Sequence, residues 1–233
     1  MKKTSIILAA FSVIFLFSAF TKRIQNAGFT GVILYGININ SDADPQIAQT
    51  LQGSTIKVYV RGDMSRTESN FGGMYRQIVI ADSKNPEQPI VLMEIMGNKY
   101  QVKIDDKAKK AADAAKPDIK YIEGSSKTIA GYVCKEAQAV VTDRRTGNKY
   151  TSDIYYTDKL PNIGGIENGR YRGLTGIPLS FSSNRNGTSF TMIAQSVTKQ
   201  PVPDSLFVTP SGYKLMSQEE IKQDMTQKMG GGQ

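Results

Sequence analysis

Residues 89–104 read PIVLMEIMGNKYQVKI and contain two strand-like runs that meet at Gly97-Asn98. This dipeptide suits a two-residue hairpin loop, because both residues tolerate a positive φ. Three apolar pairs then share one face of the hairpin: Ile95 with Tyr100, Met93 with Val102, and Val91 with Ile104. Leu92, Glu94, Gln101 and Lys103 fall on the other, mixed face. A slip of one residue would set apolar against polar side chains, so the stretch predicts an antiparallel sheet with one buried face.

Further strand-like runs follow one another along the chain, joined by short turns. Residues 54–70 turn at Gly62-Asp63, which places Lys57 opposite Glu68 and Tyr59 opposite Arg66. The other runs are residues 29–40, 75–81, 128–142, 149–157, 173–182, 189–197 and 206–209. We therefore expect a mainly β (α+β) fold: a curved antiparallel sheet or half-open barrel of about ten strands, forming one domain over residues 28–229.

About three short helices are expected on the concave side of this sheet. Asp44-Pro45 is a good start for a helix that ends near Leu51. Residues 105–118 are rich in Ala and Lys, which favours a solvated surface helix or an ordered linker. A capping box at Ser217 predicts a last helix, with Ile221, Met225 and Met229 on one side and a disordered tail at 230–233.

The first twenty residues have the pattern of an export signal. Lys2 and Lys3 precede an almost wholly apolar run over residues 5–20. An uncleaved membrane anchor is the alternative, although about 16 apolar residues is short for a span. We expect an exported protein of the periplasm or associated with the outer membrane.

Composition limits the chemistry. The chain contains no His, so Ser-His-Asp and Cys-His catalysis and His-ligated zinc sites are excluded. The formal net charge is +8, but the basic residues are scattered among acids without a dense cluster, so a nucleic-acid partner is not expected. We expect no catalytic residues, metal or cofactor, and no enzyme.

The remaining reactive groups have structural explanations. Cys134, the single cysteine, lies on a predicted strand as a small buried residue; a redox or acylation site would need a lowered pKa. The close acid pairs lie at element boundaries, where helix capping explains them. An enzyme using carboxylates and Tyr would need acids from distant segments, such as Asp82, Asp105 and Asp153, to cluster in a cleft.

Several motifs resemble bacterial envelope proteins of unknown function. Residues 129–137 (IAGYVCKEA) are similar to a strand of the form I-x-G-Y-x-C-K-K-A, and residues 153–157 (DIYYT) resemble the strand that follows it. Residues 173–179 (GLTGIPL) are similar to the signature of the GLPGLI family, and residues 203–213 resemble the close of a related domain of unknown function. The resemblance implies an export signal and a curved antiparallel sheet wrapped around helices, similar to the periplasmic lipoprotein carriers.

Methionine is the most suggestive feature for function. Eight methionines follow Met1, and thioethers adapt to irregular gaps and to varied apolar ligands. They either pack an ordinary core or line a cavity between sheet and helices. The leading hypothesis is an apolar ligand, such as an acyl chain, and the alternative is a structural module that binds an envelope partner and has no cavity. The candidate lining consists of Val91, Met93, Ile95, Tyr100, Val102, Ile104 and Met225.

Overall fold

The structure is a computed structural model that describes residues 29–39, 45–71, 75–85, 88–106, 117–142, 147, 149–160, 171, 173–185 and 188–230. Within these ranges, twelve strands join into one sheet. The strands are β1 Thr30–Ile39, β2 Thr55–Arg61, β3 Met64–Phe71, β4 Tyr75–Asp82, β5 Ile90–Ile95, β6 Asn98–Val102, β7 Asp118–Ile129, β8 Tyr132–Thr142, β9 Lys149–Thr157, β10 Ile177–Arg185, β11 Thr188–Lys199 and β12 Lys214–Met216.

The sheet is open and follows the order β12-β6-β5-β4-β3-β2-β1-β11-β10-β9-β8-β7. All neighbours are antiparallel except β12 and β6, which run parallel over three residues. The prediction of a mainly β protein built on a curved antiparallel sheet is confirmed, with twelve strands instead of about ten. β1 pairs with β11, so the N-terminal and C-terminal parts of the chain meet near the centre of the sheet.

The helices differ from the prediction of three short helices on the concave side, which is not supported. The described part of the chain holds α1 (Pro45–Leu51), a 3-10 helix (Asp204–Phe207) and α2 (Gln218–Gly230). The helix or linker predicted at 105–118 falls largely on residues 107–116, outside the described residues, as do the apolar segment 1–20 and the tail from 231 onward. No helix in the described ranges is long and apolar enough to cross a membrane.

Both the start of α2 and the 3-10 helix have local causes. The predicted capping box is present: the Glu220 amide donates to Ser217 Oγ (3.2 Å) and the Ser217 amide donates to Glu220 Oε2 (2.7 Å). The strand predicted at 206–209 is wrong, because Pro203 lies just before a tight turn in which the Leu206 amide donates to the Pro203 carbonyl (3.2 Å). The backbone there coils into a 3-10 helix instead of pairing with a strand.

The turn between β5 and β6 differs from the predicted one. Its loop residues are Met96 and Gly97, with φ of 48° and 81°, so Ile95 pairs with Asn98, Met93 with Tyr100, and Val91 with Val102. The predicted register was therefore wrong by two residues, although the same side chains still share a face. Type I′ turns favour Gly at the second loop position. The side-chain amide of Asn98 (Nδ2) adds hydrogen bonds to the Ile95 and Met96 carbonyls (3.4 Å each).

At two other glycine-containing turns, one prediction is confirmed and one is wrong. The hairpin at Gly62-Asp63 is confirmed, with Lys57 opposite Glu68 and Tyr59 opposite Arg66. The single strand predicted over 128–142 is wrong, because Ala130 and Gly131 take positive φ values of 48° and 83° and form the turn between β7 and β8.

The largest core lies on one face of the central strands. Ile33, Tyr35, Val58 and Val60 are buried there together with side chains of β8, β10 and β11, and Leu51 of α1 packs against them. At the far end of the sheet, the same face carries the side chains that meet α2. This is the face that the sequence predicted to be apolar.

Candidate functional site

The structure brings five of the seven predicted lining residues together beneath α2. We call this group the α2 cluster: Tyr100, Val102 and Ile221 are buried, and Val91, Met93, Met216 and Met225 are half-buried against them. Tyr100 is 1% exposed, so the centre of the cluster is closed. Its three methionines come from three elements, β5, β12 and α2.

Ile95 and Ile104 are placed outside the cluster. Ile95 lies at the end of β5 opposite Asn98, and Ile104 lies two residues beyond the end of β6; both are half-buried. All three predicted pairs, Ile95–Tyr100, Met93–Val102 and Val91–Ile104, are wrong, because the turn lies one residue earlier than Gly97-Asn98. A role for any of the seven in binding a ligand stays a prediction.

Met216 and Ile221 belong to the cluster but were not predicted as lining residues. Ile221 could have been found, since it recurs with Met225 on one side of the last helix. Met216 could not, because β12 is three residues long and pairs in parallel with β6, a long-range contact without a local turn signal. A separate surface hollow beside α2 is lined by Glu219, Lys222, Gln223, Thr226 and Gln227 and contains none of the predicted lining.

A polar clasp fastens α2 to the hairpin beside the cluster. Tyr100 Oη donates to Asp224 Oδ2 (2.5 Å), and Lys228 Nζ donates to the same oxygen (2.7 Å) and to Asn98 Oδ1 (2.8 Å). Burial, and then the bond to Asp224, raises the pKa of Tyr100. The hydrogen bond from Lys228 lowers the pKa of Asp224. The clasp is therefore a charged hydrogen-bonded unit at neutral pH.

The opposite face of the hairpin is also buried, which the sequence did not predict. Leu92, assigned to the mixed face, is fully buried with Ile78 and Ile80 beneath Val202 and Phe207. The segment that covers it follows β11 and includes the 3-10 helix. No pattern within the hairpin could show that a segment about a hundred residues away returns over this face.

A charged network lies on that second face. Arg66 Nε donates to Glu68 Oε1 (2.6 Å), and Arg76 Nη2 donates to Glu68 Oε2 (2.9 Å). Glu94 accepts a hydrogen bond from the Tyr213 hydroxyl and lies 3.5 Å from Arg76 Nη1. Burial, and then the bond to Glu94, raises the pKa of Tyr213 to about 12. Each charge has an opposite partner, so this network fastens the 200–213 segment and leaves no free reactive group.

Two of the three acids considered for an enzyme, Asp82 and Asp153, lie on well-separated strands. Asp82 accepts hydrogen bonds from Lys84 and Asn85 in a turn, whereas Asp153 accepts one from Gln138. Six strand spacings of roughly 4.8 Å separate β4 from β9. Among the described residues, no group of three or more His, Cys, Asp or Glu side chains could hold a metal ion.

Cys134 is fully buried, and its thiol donates to the Tyr132 carbonyl (3.5 Å). Burial raises the pKa of this thiol. A reactive cysteine requires the opposite shift. The prediction of a small buried residue is confirmed.

These features define a mainly antiparallel β protein in which a helix is clasped over one end of an open sheet. Residues 29–213 match the family described as domain of unknown function DUF4412, and the chain belongs to that family. The resemblance to a family of unknown function is thereby confirmed, but the GLPGLI name is not.

Among solved structures, the chain is similar to the lipoprotein LppX of Mycobacterium tuberculosis, with a TM-score of 0.37 and 8% identity. The similarity covers 76% of this chain and 91% of that protein. No curated protein matches the chain.

Proposed function

We propose that this protein is a non-catalytic, exported envelope protein that binds an apolar ligand, such as an acyl chain, in the α2 cluster. The observation that supports the proposal is the make-up of that cluster. Three half-buried methionines and Val91 surround Tyr100 and Val102 beneath a single helix. Methionine has three rotatable bonds and a polarizable sulfur, so such a lining can repack around chains of different shape.

The helix that covers the cluster is weakly attached, which would allow a ligand to enter. Most of the described side chains of α2 are exposed, and Ile221 is its one buried residue among them. Among the described side chains of α2, the remaining attachment is the half-buried Met225 and the clasp at Asp224 and Lys228. An exposed ion pair of this kind contributes little to stability, so a displacement of α2 costs less than opening the central core.

Insertion of an acyl chain would replace these contacts with others of similar strength. Each buried CH₂ group contributes about 0.8 kcal/mol, so a few methylenes between α2 and the hairpin offset the loss of Ile221 and Met225 from their present positions. The apolar segment at residues 5–20 supports export, and the lack of His supports a non-catalytic role.

A structural or interaction module is the second candidate. It is favoured by the closed centre of the cluster, where Tyr100, Val102 and Ile221 leave little exposed surface. In this case the cluster is ordinary core that anchors α2, and the partner is another envelope protein bound by the outer surface.

A photoactivatable fatty acid distinguishes the two candidates. The purified chain is irradiated with a diazirine-labelled C16 fatty acid, and the labelled residues are mapped by mass spectrometry. We expect labels at Met93, Met216 or Met225, and competition by unlabelled fatty acid. Met93→Gln should reduce labelling about fivefold or more, because it places an amide against the chain.

Leu215→Gln is the matched control, since Leu215 is adjacent to Met216 but is 63% exposed and does not belong to the cluster. Labelling that both variants reduce equally, or that competitor does not reduce, would contradict ligand binding in the cluster. A wild-type protein that remains unlabelled and is isolated without bound lipid would favour the interaction module.

A further inference from the structure

The turn between β5 and β6 exposes an apolar side chain at a conformational cost. Met96 is 67% exposed and has a φ of 48°, in the left-handed region that L-residues other than Asn, Asp and Gly rarely adopt. Asn or Gly would form the same type I′ turn with less strain and without exposing a thioether. Folding therefore does not explain methionine here, and an observed strained residue is a reason to look for function.

Met96 is the tip of a larger apolar group at this end of the sheet. The neighbouring Ile95 pairs with Tyr75 across β5 and β4, and Tyr75 pairs with Phe71 across β4 and β3. The rings of Phe71 and Tyr75 stack with centroids 6.0 Å apart. We call these four side chains the apolar end; three of them are half-buried, and Met96 projects beyond them.

Basic side chains surround the apolar end. Asn98 pairs with Ile95 where the turn closes, and its Oδ1 lies 2.8 Å from Lys228 Nζ. The next residue after Asn98 is the exposed Lys99. Arg76 lies opposite Glu94 on the neighbouring strand. Lys214 lies opposite Tyr100, and its charge helps to lower the pKa of Asp224. Three carboxylates lie among them and are already engaged: Glu94 by Tyr213 and Arg76, Asp224 by Tyr100 and Lys228, and Glu68 by Arg76 and Arg66. With Arg66 included, five basic groups and three acidic groups leave an excess of positive charge.

We propose that the apolar end docks on an anionic lipid bilayer, with Met96 inserted among the upper acyl groups and the basic side chains at the phosphates. A projecting apolar side chain, half-buried aromatic rings and flanking amines are the combination that interfacial membrane sites use. Four side chains form too small an area for a stable protein interface, whereas a bilayer needs only shallow insertion and charge attraction.

This inference goes beyond the proposed function and does not depend on it. The α2 cluster could be filled core and the apolar end would still meet a membrane. If both proposals hold, the bilayer contact and the ligand cluster share the β5–β6 hairpin.

Vesicle partitioning tests the proposal. The full chain is mixed with vesicles of phosphatidylcholine alone and of phosphatidylcholine with 30% phosphatidylglycerol, and the bound fraction is measured by flotation. We expect tighter binding to the anionic vesicles that weakens as salt is raised. Met96→Asn should weaken that binding about tenfold, and Lys99→Gln about fivefold. Any contribution from residues 1–28 is common to every variant.

The substitution Met96→Asn relieves the turn, so lost binding cannot be attributed to unfolding; a thermal melt of each variant verifies this. The control is Val133→Asn, because Val133 is 66% exposed on β8, far from this end of the sheet. Equal binding by wild type and Met96→Asn, or binding that ignores lipid charge, would overturn the proposal. So would a dimer in sedimentation velocity that Met96→Asn dissociates, which would assign the tip to a second copy of the chain.

Discussion

Glu68 shows how a half-buried carboxylate is kept charged in this protein. Both of its carboxylate oxygens accept hydrogen bonds from arginines, one from Arg66 on its own strand and one from Arg76 on β4. Arg66 is 4% exposed and also donates to the Leu206 carbonyl (2.9 Å), so the network binds the sheet to the 3-10 helix. Burial by itself would raise the pKa of Glu68, but the two arginine hydrogen bonds outweigh it and hold that pKa below its usual value.

The variant Glu68→Gln should destabilise the protein by about 2 kcal/mol at pH 7, because it leaves Arg66 buried against a neutral amide. The folded-state pKa of Glu68 is below the unfolded value, so its contribution is complete above the unfolded pKa. It is lost as pH falls through the lower, folded pKa. Urea unfolding should therefore show a wild-type advantage at pH 7 that shrinks towards pH 3.

The exposed Glu123 on β7 provides the control, and Glu123→Gln should change stability little at either pH. An equal loss for both variants, or a difference between wild type and Glu68→Gln that is as large at pH 3 as at pH 7, would contradict this account of the network.

Residue pairing could be predicted from the sequence only where a turn fixed it. Lys57 and Glu68 were placed opposite one another because Gly62-Asp63 sets the register of their hairpin. The bond from Arg76 to Glu68 crosses to the next strand on a diagonal, and the bond from Arg66 to Leu206 spans 140 residues. Neither contact leaves a local pattern, so the sequence did not predict the burial of Arg66, the most buried charged side chain among the described residues.

At the scale of elements, glycine was a good marker of turns but a poor guide to their position. The register at Gly97-Asn98 failed because the glycine occupies the second loop position and Met96 accepts the strained first position. The turn at Ala130-Gly131 was missed because it lies within an unbroken apolar run, residues 129–134 (IAGYVC), with no polar residue to mark a loop. Apolar periodicity does not change at such a turn, so the backbone conformation of one residue decides between one strand and two.

The capping box of α2 is an element-scale device with a measurable effect. Ser217→Ala removes the acceptor for the Glu220 amide, which should cost the helix about 1 kcal/mol. Because α2 is attached by few side chains, we expect this cost to make local opening of the helix more frequent without unfolding the sheet. Protection of the first-turn amides of α2 from hydrogen exchange should therefore fall about fivefold. Amides of β8 and β9 should be unaffected.

Ser217→Asp retains a capping oxygen and should preserve the protection of α2. A loss of protection spread evenly over the sheet would show that α2 opens only with the whole molecule. That result would also weaken the proposal that a ligand enters by displacing this helix.

At the scale of the whole molecule, the sheet is covered on both faces by segments distant in sequence. One face carries the central core and the α2 cluster, and the other carries Leu92 and Ile78 beneath Val202 and Phe207. The sequence predicted the first face from alternation and missed the second. Coverage by a returning segment is a tertiary feature, since Leu92 has mixed neighbours and is buried only when residues 200–213 pack on it.

Cys134 offers a direct test of this whole-molecule arrangement, because its buried thiol can react only when β8 separates from the core. Burial raises the pKa of Cys134, so both access and thiolate formation oppose reaction in the native state. Ellman's reagent should label the native protein about 1000-fold or more slowly than an exposed thiol. In urea, labelling should rise with the same midpoint as the tyrosine fluorescence change.

The exposed reference is Val133→Cys in a Cys134→Ala background, which places a thiol one residue away on the solvent side of the same strand. It should react at the rate of a free thiol without denaturant. If Cys134 instead becomes reactive well below the unfolding midpoint, the β7–β9 end opens separately from the central strands. The sheet would then behave as two cooperative units. The boundary would lie between the β7–β9 end and the contact between β1 and β11.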